Sequence, residues 1–223
     1  MLQAVRVWDL PLRLFHWALV FCVVGLLVSS QIGGNAMVWH FRFGYAVITL
    51  LAFRLLWGLV GGHWARFSSF LFSPARLLRY LRGERGPVTD TGHTPLGALS
   101  VFAMLLVLLL QVSTGLMSDD EISAAGPLTP LVSNRMVSMA TFYHTAIGKY
   151  LLLGLIALHL GAVIYYIVIR RQTLLEPMVW GDKLLNPEAI ASRDDWRTRL
   201  LAAALVLGCA LLLAYVLARL APQ

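Results

Sequence analysis

Five apolar stretches, each long enough to cross a bilayer as a helix, constrain this chain more than any other feature. They cover about residues 12–30, 40–60, 95–117, 143–169 and 200–220. A hydrocarbon core of roughly 30 Å takes about 20 helical residues at about 1.5 Å each. Lipid offers no partner to a backbone N–H or C=O, so a segment of this kind spans as a helix. The predicted fold class is all-α, an integral membrane helical bundle. Composition agrees: of 223 residues 59% are hydrophobic and 13% charged, against nearer a half and a quarter in soluble domains. One membrane domain over 1–223 is expected, with no room for a separate soluble catalytic domain. The first stretch follows Arg6 and Arg13 and ends near Ser29 and Ser30, much as a secretory signal would. Its spanning length and its histidine, His16, argue for a retained first helix.

The formal net charge of +7 is topological information rather than a nucleic-acid footprint. Arg6, Arg13, Arg54, Arg66, Arg76, Arg79, Arg82, Arg85, Arg170, Arg171, Lys183, Arg193, Arg197 and Arg199 fall on one side of the alternating spans. Arg42, Arg135, Lys149 and Arg219 fall on the other. That asymmetry predicts a cytoplasmic N-terminus and a periplasmic C-terminus in a bacterial inner membrane. Gln31–Asn35 reads as a tight turn between the first two spans. The connection over about 64–94 contains Ser73, Pro74 and leucines 77, 78 and 81 opposite arginines, an amphipathic helix for the inner leaflet. Ser192 to Trp196 reads as the cap of the last span. Cys22 and Cys209 lie in apolar runs with no CxxC or CxxCH. Covalent c-type haem by the usual motif, cysteine-ligated iron–sulfur clusters and zinc fingers are therefore excluded.

Ionisable residues inside spans are costly, so an intramembrane histidine points to function. His16 lies near the inner end of the first span. His40 opens the second and His144 the fourth at the outer side, and His159 lies deeper in the fourth. Fifteen residues separate His144 from His159, about 22 Å along an α-helix with the two about 60° apart around it. His40 matches the depth of His144, and His16 that of His159. One buried histidine alone is commonly a hydrogen-bonded core residue; two depth-matched pairs suit two six-coordinate haems. A zinc site would need a compact cluster instead. Gly44 and Gly148, each four residues after a histidine, leave room for a macrocycle or for close helix packing. Arg13, Arg42, Arg54 and Lys149 are candidate propionate partners, or snorkel to the interface. His63 and His93, near Gly and Pro, read as solvent or headgroup residues.

The run from Val7 to Trp17, VWDLPLRLFHW, resembles the opening of the bacterial cytochrome b-561 group, which is similar to the b-type cytochrome subunits of membrane nickel–iron hydrogenases. Arg54–Gly58 with Ala65–Phe67, Gly92–Gly97, and Tyr143-His144 through His159 extend the resemblance over roughly residues 5–170. It implies a four-helix core holding two haems b on His16, His40, His144 and His159, exchanging electrons with the quinone pool. The fifth helix, about 199–220, is an addition to that core.

Three functions compete. The first is an electron-transfer subunit between quinone and a redox partner, either a hydrogenase-like complex or a c-type cytochrome. The extra helix favours it, as does the acidic outer loop of Asp119, Asp120 and Glu121, which would attract a basic partner. The second is a stand-alone superoxide:quinone oxidoreductase, which would want a basic surface by the outer haem; the charges there are mixed. The third, a transporter or scaffold, would need a polar pathway near the midplane, and Gln111, Ser113 and Thr114 are the only hints. The expected partners are lipid, quinone and a redox protein, not nucleic acid, and an electron-transfer subunit is expected over an independent enzyme.

Overall fold

The computed structural model describes residues 2–83, 91–122 and 124–220. Its elements in chain order are β1 (Gln3–Arg6), α1 (Leu10–Ile32), α2 (Met37–Val60), α3 (Pro74–Leu81), α4 (Pro95–Gly115), α5 (Asn134–Phe142), α6 (Lys149–Val168), α7 (Leu175–Trp180), β2 (Asp182–Leu185) and α8 (Trp196–Leu220). A π-helical segment, Tyr143–Gly148, joins α5 to α6. Five stretches are long and apolar enough to cross a membrane: Leu10–Ile32, Gly34–Val60, Pro95–Gly115, Asn134–Val168 and Trp196–Leu220. This is the all-α membrane fold expected, with one small antiparallel ribbon added.

The chain divides into two compact units. The first takes in the residues up to His16, Phe53–Ala103 and Leu158–Leu205. Its ribbon pairs Gln3 with Leu185 and Arg6 with Asp182. The amides of Val7 and Trp8 donate to the Gly181 carbonyl at 2.9 and 3.1 Å. Gly181, at φ 96°, ends α7 in a left-handed turn that a side chain would strain. Ser192 donates to the Val7 carbonyl through Oγ (2.6 Å) and accepts from the Trp64 amide (3.3 Å). The capping of α8 falls instead to Asp195, whose Oδ1 accepts from the Thr198 amide at 2.8 Å. That bond, with others from Thr198 Oγ1 and Arg193, holds the Asp195 carboxyl below the usual range.

The same unit is centred on Asp9, fully buried with Trp57. Its Oδ1 accepts from the Leu12 amide (2.8 Å), closing the first turn of α1 as an N-cap. Trp57 Nε1 donates to both carboxylate oxygens (3.1 and 3.2 Å), and the Gly62 amide donates to Oδ2 (3.1 Å). Burial pushes the Asp9 carboxyl above its ordinary range, against the pull of these bonds from Leu12, Trp57 and Gly62. The predicted amphipathic helix forms as α3, with Ser73 Oγ accepting from the Arg76 amide at 3.3 Å. Leu78 and Leu81 on it stay exposed. Arg85 of the predicted inner charges lies outside the described residues.

The second unit comprises Trp17–Ala52, Met104–Ala157 and the chain from Val206 onward. Between α1 and α2 the chain turns through Gly33 and Gly34, at φ 67° and 51°, which glycine alone adopts without cost. Hydropathy places the start of the fourth span near Tyr143, but helix begins nine residues sooner. Ser133 caps α5 through a bond from the Met136 amide, and Asn134–Phe142 is too polar to register as apolar. His144 is therefore interior to its span, inside the π segment. The face-sharing arithmetic for His144 and His159 holds only for an unbroken α-helix, and the π segment breaks it.

Candidate haem-ligand pairs

In the first unit, α1 carries His16 and α6 carries His159. Their ring centres lie 6.5 Å apart with planes at 54°. In the second unit, α2 carries His40 and the π segment carries His144. Their ring centres lie 6.2 Å apart with planes at 85°. Two metal–imidazole bonds of about 2 Å, plus roughly 1 Å from each nitrogen to its ring centre, set two imidazoles on one ion about 6 Å apart. Both pairs fit that spacing. Among the described residues no three His, Cys, Asp or Glu side chains gather as a metal site.

Hydrogen bonds orient the second pair further. His144 Nδ1 lies 2.9 Å from the Gln111 carbonyl and His40 Nδ1 lies 3.1 Å from the Leu26 carbonyl. Ser29 Oγ is 3.4 Å from the same His40 nitrogen. A carbonyl only accepts, so each Nδ1 bears the hydrogen and each Nε2 keeps its lone pair for a metal. A carbonyl accepting from Nδ1 in this way fixes an imidazole's orientation and raises its basicity.

A cavity of about 420 Å³ adjoins both rings, and its walls include Gly44, Tyr45, Lys149 and Asp119. Cofactor sites commonly occupy roughly 300–1,000 Å³. A Cβ at Gly44 would meet nothing within 4 Å, so Gly44 faces open space on this wall. Gly148 does not. A Cβ there would overlap Gln111 Oε1, so its bareness serves close packing between α4 and the π segment.

The predicted propionate partners separate by environment. Lys149 lines the cavity beside His144. Arg42 lies over the Trp39 ring at 4.8 Å. Arg54, 2% exposed, donates to the Ala65 carbonyl (3.1 Å) and lies over Phe67 at 4.6 Å. Arg13 donates to the Val179 carbonyl and sits 4.0 Å from Asp194. Asp194 also takes Arg6 at 3.3 Å and Arg199 at 3.0 Å. Arg13 and Arg54 thus already hold protein groups in the first unit.

The structure revises the reading of His93. Its ring packs 4.8 Å from Trp8 and 4.4 Å from Phe70, and its Nδ1 is buried without a partner. Neighbouring glycine and proline suggested a solvent-facing loop, but the side chain turns inward beneath two aromatic rings. Burial, and then the Arg54 charge, push its imidazole down to about 3. The folded state therefore holds it neutral while the unfolded chain takes a proton near 6.5. Its contribution to stability is complete above that value and is lost progressively as pH falls from there toward about 3. At pH 5 the loss approaches about 2 kcal/mol, which lowers Tm by roughly 4–8 °C relative to pH 7. A thermal melt of the His93→Phe variant should show a flatter pH dependence over this range; an identical slope would refute the assignment.

The roles of Asp9 and Gln111, and the π segment, also lie beyond the sequence reading. Asp9 carried a usable signal, since Asp-Leu-Pro before an apolar run marks a helix start. No local signal announces the other two.

A model of the prokaryotic cytochrome b561 family matches residues 7–181. The chain is 28% identical to a probable Ni/Fe-hydrogenase B-type cytochrome subunit of Azotobacter vinelandii, over 83% of this chain and 90% of that one. It is 24% identical to the similarly named protein of Rhizobium leguminosarum bv. viciae, over 82% and 90%. It is 23% identical to the probable Ni/Fe-hydrogenase 1 B-type cytochrome subunit of Escherichia coli K12, over 56% and 64%. No solved structure matches the chain.

Proposed function

We propose, from the premise that the chain belongs to the prokaryotic cytochrome b561 family, that it passes electrons between a redox protein and the quinone pool through two haems b. Membership makes it a multi-pass bacterial membrane protein and an electron-transfer cytochrome of the b type. Two haems, their ligands, the quinone and the partner are the proposal. The observation that carries it is the spacing of two histidine pairs, 6.2 and 6.5 Å between ring centres.

His40 and His144 would hold one haem iron and His16 and His159 the other. A bound haem supplies a one-electron ferric/ferrous couple. With two protein nitrogens available to the group, the site would suit electron transfer rather than oxygen binding. The carbonyls of Leu26 and Gln111 keep the His40 and His144 rings in the ligating tautomer. Lys149 is the side chain we assign to a propionate there, by charge and by its place in the cavity wall.

Asp119 and Asp120 line the same cavity. A carboxylate rim of this kind attracts a basic surface on a redox partner. The relatives named as hydrogenase cytochrome subunits support a hydrogenase-like partner. The positive-inside asymmetry supports a cytoplasmic N-terminus and a periplasmic C-terminus.

The test is a reduced-minus-oxidised absorbance spectrum of the purified chain, with pyridine haemochrome quantification and a quinol analogue as reductant. Two haems b per chain, reducible by the quinol, are the expected result. A well-folded chain binding no haem, or haem that quinol never reduces, would overturn it.

A further inference from the structure

Gln111 of α4 makes two bonds to one residue, in opposite senses. Its backbone oxygen accepts from His144 Nδ1 at 2.9 Å, and its side-chain Nε2 donates to the His144 carbonyl at 2.8 Å. The ring and the backbone of His144 are thus held by the same neighbour. Three local features make room for this clasp. His144 lies in the π segment rather than in a regular helix. Gly148 lacks the Cβ that would overlap Gln111 Oε1. Gly115, on α4, lacks the Cβ that would come within 2.8 Å of His144 Cε1. Gln111 Oε1 is meanwhile buried with no hydrogen-bond partner, which costs stability. An apolar residue would avoid that cost, so the amide is kept for what its nitrogen does.

We propose that Gln111 is a positioning residue that fixes the ring angle of His144 and so tunes the haem held by His40 and His144. This rests on the ligand reading above. The planes of the two rings stand at 85°, against 54° for His16 and His159. Near-perpendicular imidazoles leave the iron's two ligand-facing π orbitals almost equal in energy, which gives a strongly anisotropic low-spin ferric EPR signal. The carbonyl-bound Nδ1 makes the imidazole more basic and favours ferric iron. Gln111 acts on both properties, and on one pair only.

The test uses the full-length haem-loaded chain, with low-temperature EPR, potentiometric titration and a haem count. The Gln111→Leu variant keeps the backbone carbonyl and removes the amide. It should retain two haems per chain while the strongly anisotropic signal loses anisotropy and one of two reduction waves moves. The Gly148→Ala variant puts a methyl group where the amide oxygen lies and should reproduce the change, so the test survives if one variant fails to insert. Two haems with unaltered EPR and unaltered waves in both variants would overturn the proposal. A wild-type chain without two haems would overturn the ligand reading itself, and this proposal with it.

Discussion

Alanine in place of His144 should leave the purified chain with one haem b rather than two. The same holds for His40, and for His16 or His159 at the other pair. Each pair offers two imidazoles, so removing one leaves an iron with a single protein bond. Loss of a residue that only hydrogen-bonds a ligand costs about 10–100-fold in metal affinity or activity, and loss of the ligand itself should cost at least about 100-fold. The two pairs belong to different packing units, so the untouched pair should keep its haem and serve as an internal control for insertion. A variant pairing His16→Ala with His40→Ala should bind none. Pyridine haemochrome counts per chain decide the matter, and any single alanine variant retaining both haems would remove that histidine from the ligand set.

The second large effect is expected at Asp9, which touches no proposed ligand. Its carboxylate accepts from Leu12, Trp57 and Gly62 while fully buried. The Asp9→Ala change leaves three donors sealed without partners. At about 1–3 kcal/mol for each buried orphan, a loss on the order of 3 kcal/mol or more follows, equivalent to a drop in Tm of roughly 6–12 °C. The Asp9→Asn change should fall between, because an amide nitrogen must then face one of the three donors. Thermal melts in detergent measure both, and an alanine variant as stable as wild type would refute this account of the α1 start.

How far these residues could be found in advance follows from the range of the interactions behind them. Apolar length and an imidazole inside a span are local signals. The five spans and the depth-matched placement of His16, His40, His144 and His159 were therefore legible in the chain itself. The α5 start was not, because Asn134, Arg135 and Ser138 dilute its hydropathy and its cap lies at Ser133. The ribbon pairs Gln3 with Leu185, and no window of sequence contains both. Gln111 looked like a stray polar residue because its role exists only opposite His144 and Gly148. His93 was misread for a similar reason: glycine and proline report on backbone freedom, and cannot tell which way a side chain then turns. Lys149 stood in one list with Arg13, Arg42 and Arg54, and only the cavity wall separates it from them.

The glycine turn between α1 and α2 bears on how the protein is made. Because Gly33 and Gly34 close that hairpin tightly, His40 can bond back to Leu26 as soon as the first two spans have left the ribosome. Half of the proposed ligand pair is then oriented early in synthesis, while the other half waits for the chain to reach His144. On the proposed ligand assignment, cofactor capture at this pair would be a late event in biogenesis, following insertion of the fourth span. A ribosome-stalled chain ending before His144 should hold no haem there, however well its first hairpin has formed.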